Sequence, residues 1–256
     1  TNGDGTNDRT YTVHAFTTVG SSTFEVLNNF SATITGSISG ANNLTLNASH
    51  GAIELAGTNT YSGTTTITGG TVNVTSASGL GNGSAVTIAD KAGAILKVTN
   101  PNATPSTANA INLAIASLTG GGSLGGEVVL GEHTVLKMGG TSDPFRGVIS
   151  GAGGLEKVGN NTLTLAGTNT FTGGTTVTEG TVRLYSSQAL GTGTISMADN
   201  TAMQLSHGLT IANDFDLTGT VNFSFAQDLL IDYLMVGGGG GGGANSGSGG
   251  AGGQGL

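Results

Sequence analysis

Along most of the chain, apolar and short polar residues alternate with a period of two, and Gly or Asn interrupts the alternation every few residues. Thr65-Thr66-Ile67-Thr68 is followed, past Gly69-Gly70, by Thr71-Val72-Asn73-Val74. Val177, and then Val182 and Leu184, repeat the pattern around Glu179-Gly180. A period of two sends successive side chains to opposite faces, so these segments predict strands of about four to six residues that break at the glycines. The same parity predicts that Ile67, Val72, Val177 and Val182 point into a core. Ala108 to Leu118 comes nearest to a helix, but Ile111, Leu113 and Ile115 alternate strictly and predict a strand.

The chain repeats itself. Leu55 to Ser76 and Leu165 to Ser186 align without a gap at an offset of 110 residues. The match extends upstream through Ile38-Ser39-Gly40-Ala41 and Ile149-Ser150-Gly151-Ala152. Downstream it runs through Leu80-Gly81 and Leu190-Gly191 to Ala89-Asp90 and Ala198-Asp199, and Ala108 to Leu113 resembles Ala212 to Leu217. Residues 36–125 and 147–225 are therefore two copies of one unit.

Short strands with Gly and Asn corners fit a β-solenoid or a β-sandwich. Turn signals recur more often than hairpins need, and aligned copies keep the same residue type at the same corner, which favours coils stacked in parallel. Asn59 and Asn169 are then corner residues, and Tyr61 and Phe171 share an aromatic position. Some 190 residues at roughly 20–25 per coil give about 8–9 coils, near 40 Å at ~4.8 Å each. The fold expected is all-β: a right-handed parallel β-helix with short terminal β segments and a Gly-rich tail. The divisions are 1–35 (N-terminal β segment or cap), 36–146 and 147–228 (two repeat units), and 229–256 (terminal strand and tail).

Composition narrows the functional classes. Gly makes up 48 of 256 residues, charged residues are 9% and Cys is absent, so no disulfide framework exists. Hydrophobic residues still reach 36%, enough for a buried core. The net charge is −8, and the seven basic residues are scattered. Nucleic acid and anionic membrane surfaces both need a basic cluster and are not expected as partners. The longest apolar run, Leu229 to Val236, is far short of the ~20 residues of a membrane span and contains Asp232. With no initiator Met or signal peptide, the chain is read as an internal or processed segment.

Candidate chemistry is sparse. His14, His50, His133 and His207 have no His or Cys partner at ligand spacing, and Glu132-His133 lacks the frame of a zinc-binding helix. Asp90 and Asp199 fall at equivalent positions of separate copies, the mark of a repeat turn and not of one site. Asp214 and Asp216 share one side of a strand and are the candidate pair for polysaccharide chemistry, which needs two convergent acids. Asp4, Asn7 and Asp8 lie on a Gly-rich terminal turn and are candidate calcium ligands, with a solvated turn as the competing reading. No other cofactor is expected. Thr58 and Thr60, with Thr64, Thr66 and Thr68, would present a row of hydroxyls of the kind found on ice-binding solenoids, although strand propensity also explains them. No nucleophile elbow or phosphate loop is present.

Ile149 to Leu184, ISGAGGLEKVGNNTLTLAGTNTFTGGTTVTEGTVRL, closely resembles the passenger-associated transport repeat of autotransporters. The first copy matches less fully: Asn42-Asn43 replace glycines, and Leu46 stands near the position of Lys157. The resemblance implies a right-handed parallel β-helix on a Gram-negative cell surface, often in an adhesin, and carries no activity. Tyr11 to Val26 and Ile231 to Val236 with the following glycines resemble a glycine-rich module of bacterial and phage surface proteins. The expectation is a structural or adhesive, non-enzymatic extracellular segment, with self-association, other surface proteins or glycans as partners. The alternatives are a phage tail-fibre or receptor-binding segment and a polysaccharide-active β-helix enzyme. Tyr11–Val26 and Ile231–Val236 are expected to be strands that cover the solenoid ends or join a neighbouring chain.

Overall fold

The computed structural model describes residues 10–13, 16–17, 21–26, 30–81, 83–103, 110–140 and 143–225. Every strand pair among them is parallel, which excludes a hairpin-built sandwich. The strands form a β-solenoid of about nine turns. Thr65 lies over Leu44 and Val86 over Thr65, 21 residues per coil each time. Ser117 over Ala85 takes 32, because the intervening coil carries an insertion.

Three ladders run up the stack. The first contains β1 (Thr10–Val13), β4 (Ser31–Ile34), the second halves of β6 (Leu44–Leu55) and β7 (Thr65–Val74), β9 (Ile95–Val98), β12 (Glu127–Leu130) and β14 (Val148–Gly151). On the second ladder lie β3 (Ser22–Glu25), the first halves of β6 and β7, β8 (Ala85–Ile88) and β11 (Ser117–Gly120). Bridges from Gly120 to Phe145 and from Phe145 to Leu165 carry that ladder on into β16 (Thr162–Leu165), β18 (Thr181–Leu184), β20 (Thr201–Leu205) and β22 (Val221–Phe225). The third begins with β2 (Phe16–Thr17) and β5 (Ile38–Ser39) and ends with β10 (Ile111–Ile115), β13 (Thr134–Met138), β15 (Gly154–Lys157), β17 (Thr175–Val177), β19 (Ile195–Met197) and β21 (Phe215–Leu217).

Alternate residues of the strands from β4 to β20 fill one continuous interior. Ile53, Val72, Leu96, Val128 and Ile149 stack in consecutive coils, all fully buried. Ile67, Val72, Val177 and Val182 point inward as the alternation predicts, and β10 is the strand expected of Ile111, Leu113 and Ile115. The predicted break at Gly69-Gly70 does not occur: β7 runs unbroken from Thr65 to Val74, with Gly69 and Gly70 paired to Asn47 and Ala48 of β6. Gly70 has φ +69°, and a Cβ there would overlap the Ala48 carbonyl, so glycine lets the strand turn the corner without leaving the ladder. In the second copy the break is real and separates β17 from β18.

The offset between copies is not a whole number of coils. The second half of β7 lies on the first ladder, whereas its counterpart β18 lies on the second. Likewise Thr60 bonds to Ile38 of β5 on the third ladder, while Thr170 bonds to Ile149 of β14 on the first. Each repeat is thus turned by one face relative to its predecessor.

Candidate functional site

The corner asparagines hold successive coils together. Asn59 Oδ1 accepts the Ile38 amide at 2.8 Å, and its Nδ2 donates to the Gly79 carbonyl at 2.7 Å. Asn169 does the same in the second copy, accepting from Ile149 at 2.8 Å and donating to Ala189. Both side chains are buried. Each amide therefore pairs a backbone donor of the coil below and a backbone acceptor of the coil above, which a buried corner outside the ladder would otherwise leave unmet.

Lys157 is the residue whose role sequence reasoning missed. It is fully buried, in a core column between Met138 and Val177. Its Nζ donates to the carbonyls of Val158 at 2.9 Å, of Gly159, and of Glu179 in the next coil at 3.2 Å. Burial lowers its pKa, and the charge of Glu179 opposes that shift. Leu46 occupies the matching position, paired with Ile67 as Lys157 is with Val177. Where the first copy keeps these corner carbonyls in the backbone ladder, the second turns them in towards an ammonium. The signal was available: Leu155 and Lys157 share the inward parity.

Asp90 and Asp199 act as turn caps for the following coil. Asp90 Oδ1 accepts the amides of Leu124 at 2.7 Å and Gly125 at 3.1 Å, and Asp199 Oδ1 accepts that of Thr220 at 2.6 Å. Asp214 and Asp216 are exposed. Among the described residues no group of three or more His, Cys, Asp or Glu converges on a point. His133 sits in a turn at φ +54° and His207 is exposed. Asp4, Asn7, Asp8, His14 and Ile231–Val236 lie outside the described residues, as does the His50 side chain.

The threonines form a row, but across coils and not along one strand. Thr23, Thr45, Thr66, Thr87 and Thr119 stack in register on the outer side of the second ladder. Thr87 Oγ1 and Thr119 Oγ1 are 3.0 Å apart. Thr65, between Thr64 and Thr66, points inward and is fully buried. A concavity of about 130 Å³ is lined by Ser187, Gln188, Gly191, Thr192, Ala212 and Asn213, all uncharged. Among the described residues these surfaces present hydroxyls and amides.

Comparison with known proteins agrees with this architecture. The passenger-associated-transport-repeat family matches residues 39–74 and 155–184. The chain is 34% identical over 133 residues to the adhesin BmaC autotransporter of Brucella suis biovar 1 (strain 1330), an alignment covering 51% of this chain and 4% of that protein. The chain thus spans a small fraction of the length of this relative. No solved structure matches. Autotransporter adhesin passengers are surface-exposed or secreted. Two passenger-associated transport repeats are thus laid on one parallel stack, in a chain that is similar over about half of its length to part of an autotransporter adhesin.

Proposed function

We propose that this segment is a stiff, surface-displayed spacer of an adhesin that holds binding surfaces away from the cell and performs no catalysis. The observation that carries the reading is the continuity of the stack. One interior runs through both repeats, and the ladder passes from repeat to repeat through Phe145 and β14 without a hinge. A hinge would need a segment with few buried contacts, and among the described residues none separates the two copies. The relative's adhesin name supports the same role, with surface proteins, glycans or further copies of the chain as the partner classes.

The test has two readouts. Displayed on a bacterial surface beneath a tagged terminal domain, the segment should raise the tag above the membrane by the length of the stack, and deleting residues 147–225 should lower it in proportion. An unchanged height would overturn the spacer role. A screen against acidic plant and bacterial polysaccharides should show no cleavage. Turnover that Asp214→Asn or Asp216→Asn abolishes would replace the scaffold by an enzyme.

A further inference from the structure

The second copy turns one corner with fewer residues than the first. Residues 206–214 join β20 to β21, three fewer than residues 99–110, which join the counterparts β9 and β10. In the preceding coil, the turn after β18 carries Ser187, Gln188, Gly191 and Thr192, and the shortened corner adds Ala212 and Asn213 to the same concavity of about 130 Å³. The concavity lies between two successive coils, on the flank of the stack. A water takes about 30 Å³ of the liquid, so the space holds roughly four waters, or part of one small polar molecule.

Backbone bonds already orient the polar atoms of this lining. Thr210 N donates to Ser187 Oγ at 3.1 Å, which leaves the Ser187 proton for another acceptor. Asn213 Nδ2 gives its protons to the carbonyls of Gly191 at 3.1 Å and Gly193 at 2.8 Å, so Oδ1 is left as a fixed acceptor. Thr192 Oγ1 donates to the Phe171 carbonyl at 3.5 Å and keeps its lone pairs available. The exposed Gln188 amide offers a donor and an acceptor together. None of the six lining residues is charged, and Ala212 is the one apolar side chain among them. Tyr185, 42% exposed, stands two residues before Ser187 and so within about 7 Å of it along the chain.

These groups discriminate among ligand classes. An acidic sugar or peptide finds no cation in the lining, and the net charge of −8 works against it. An apolar side chain would gain little, because Ala212 alone could cover it. A neutral sugar carries hydroxyls on adjacent carbons, each both donor and acceptor, and a C–H face that packs on an aromatic ring. We propose that the concavity between Ser187 and Asn213 is a binding site for a single neutral sugar residue. Asn213 Oδ1 and the Gln188 amide take adjacent hydroxyls, and Tyr185 flanks the ring. This names a ligand class for the adhesive reading and rests on it, whereas the spacer height is measured separately. So small a site binds weakly, with a Kd of about 1–10 mM, and gains strength through display in many copies on a surface.

The test titrates the full, isotope-labelled chain with glucose, galactose, mannose and N-acetylglucosamine, and follows the backbone amides by NMR. At least one sugar should shift the amides of Ser187, Gln188, Thr192 and Asn213 saturably, while glycerol and glucuronate at the same concentrations should not. Gln188→Ala and Tyr185→Ala should each weaken binding by about three- to tenfold. Both side chains are exposed, so the thermal midpoint should stay where it is. Saturable shifts with none of the sugars, or equal shifts with glycerol, would overturn the proposal. Affinity unchanged in both variants would place the sugar elsewhere and overturn it as well. A hexapeptide of Ser, Thr and Asn that binds here while no sugar does would assign the concavity to a protein partner instead. Loss of the sugar site with the tag height intact would leave the spacer standing without this ligand.

Discussion

The hydroxyl of Tyr61 lies 2.7 Å from Oγ1 of Thr65, inside the solenoid. Thr65 Oγ1 is in turn 2.8 Å from Ser84 Oγ, which donates to the Gly63 carbonyl at 2.8 Å. Each hydroxyl has one proton, so the chain of donation runs from Tyr61 through Thr65 and Ser84 to Gly63. Burial pushes the Tyr61 phenol up to about 12 despite those bonds, so it stays a donor across the neutral range. The second copy has Phe171 at this corner, and Thr175 donates to the Leu190 carbonyl at 3.1 Å instead.

Exchanging the two corner aromatics should therefore have unequal effects. Tyr61→Phe removes one hydrogen bond and should cost about 1 kcal/mol. Phe171→Tyr adds a hydroxyl where Thr175 is already engaged and should cost about 1–3 kcal/mol if it stays unpaired. Urea midpoints of the two variants decide the matter. Equal midpoints would mean that the second corner can rearrange to hold the new group.

Asn169→Ala should destabilise by about 2–4 kcal/mol, because it leaves the Ile149 amide and the Ala189 carbonyl both unpaired in a buried corner. Asn59→Ala should match it to within about 1 kcal/mol, since the bonds are the same. Denaturation of both variants would show whether the two corners are energetically equivalent.

Ile67→Asp places an unpaired carboxylate in the core and should cost about 3–5 kcal/mol, with Val177→Asp similar. Thr66→Asp, one residue along and on the outer side, should change stability by less than about 1 kcal/mol. Thermal unfolding that failed to separate neighbours of opposite parity would contradict the register.

Much of this was legible because period-two alternation is a local property. It placed Ile67, Val72, Val177 and Val182 correctly, and repetition placed the corner asparagines. The continuity of β7 was not legible, because Gly-Gly signals a turn whether or not the strand regains its ladder beyond it. The one-face rotation between copies was hidden for a different reason. It depends on the summed length of every coil, including the long one that ends at Ser117, and no single motif carries that sum. Lys157 went unread as a core residue because parity alone marks it as inward and lysine is ordinarily solvent-facing.

Lys157 should give the fold a pH dependence at alkaline values. Burial lowers its pKa from the ordinary 10.5. Between that lowered value and 10.5 the unfolded chain keeps a proton that the folded chain has released, so this group's contribution to stability rises with pH through the window. Lys157→Met cannot titrate and serves as the reference. Urea midpoints measured from neutral pH to about 10.5 should move in favour of the wild type relative to the variant. Movement in favour of the variant would mean that the three carbonyls hold the ammonium more strongly than burial penalises it.

The ladder bonds between coils, such as those from Leu44 to Thr65 and from Thr65 to Val86, point along the stack. Tension applied at its two ends passes through every rung, but a terminal rung has a neighbour on one side only and opens first. Peeling one coil releases 21 residues, about 70 Å of extended chain, in exchange for ~4.8 Å of stack. Acting as the proposed spacer, the segment would thus gain reach in discrete increments. The interior left standing after each increment can wind the chain back when the force drops.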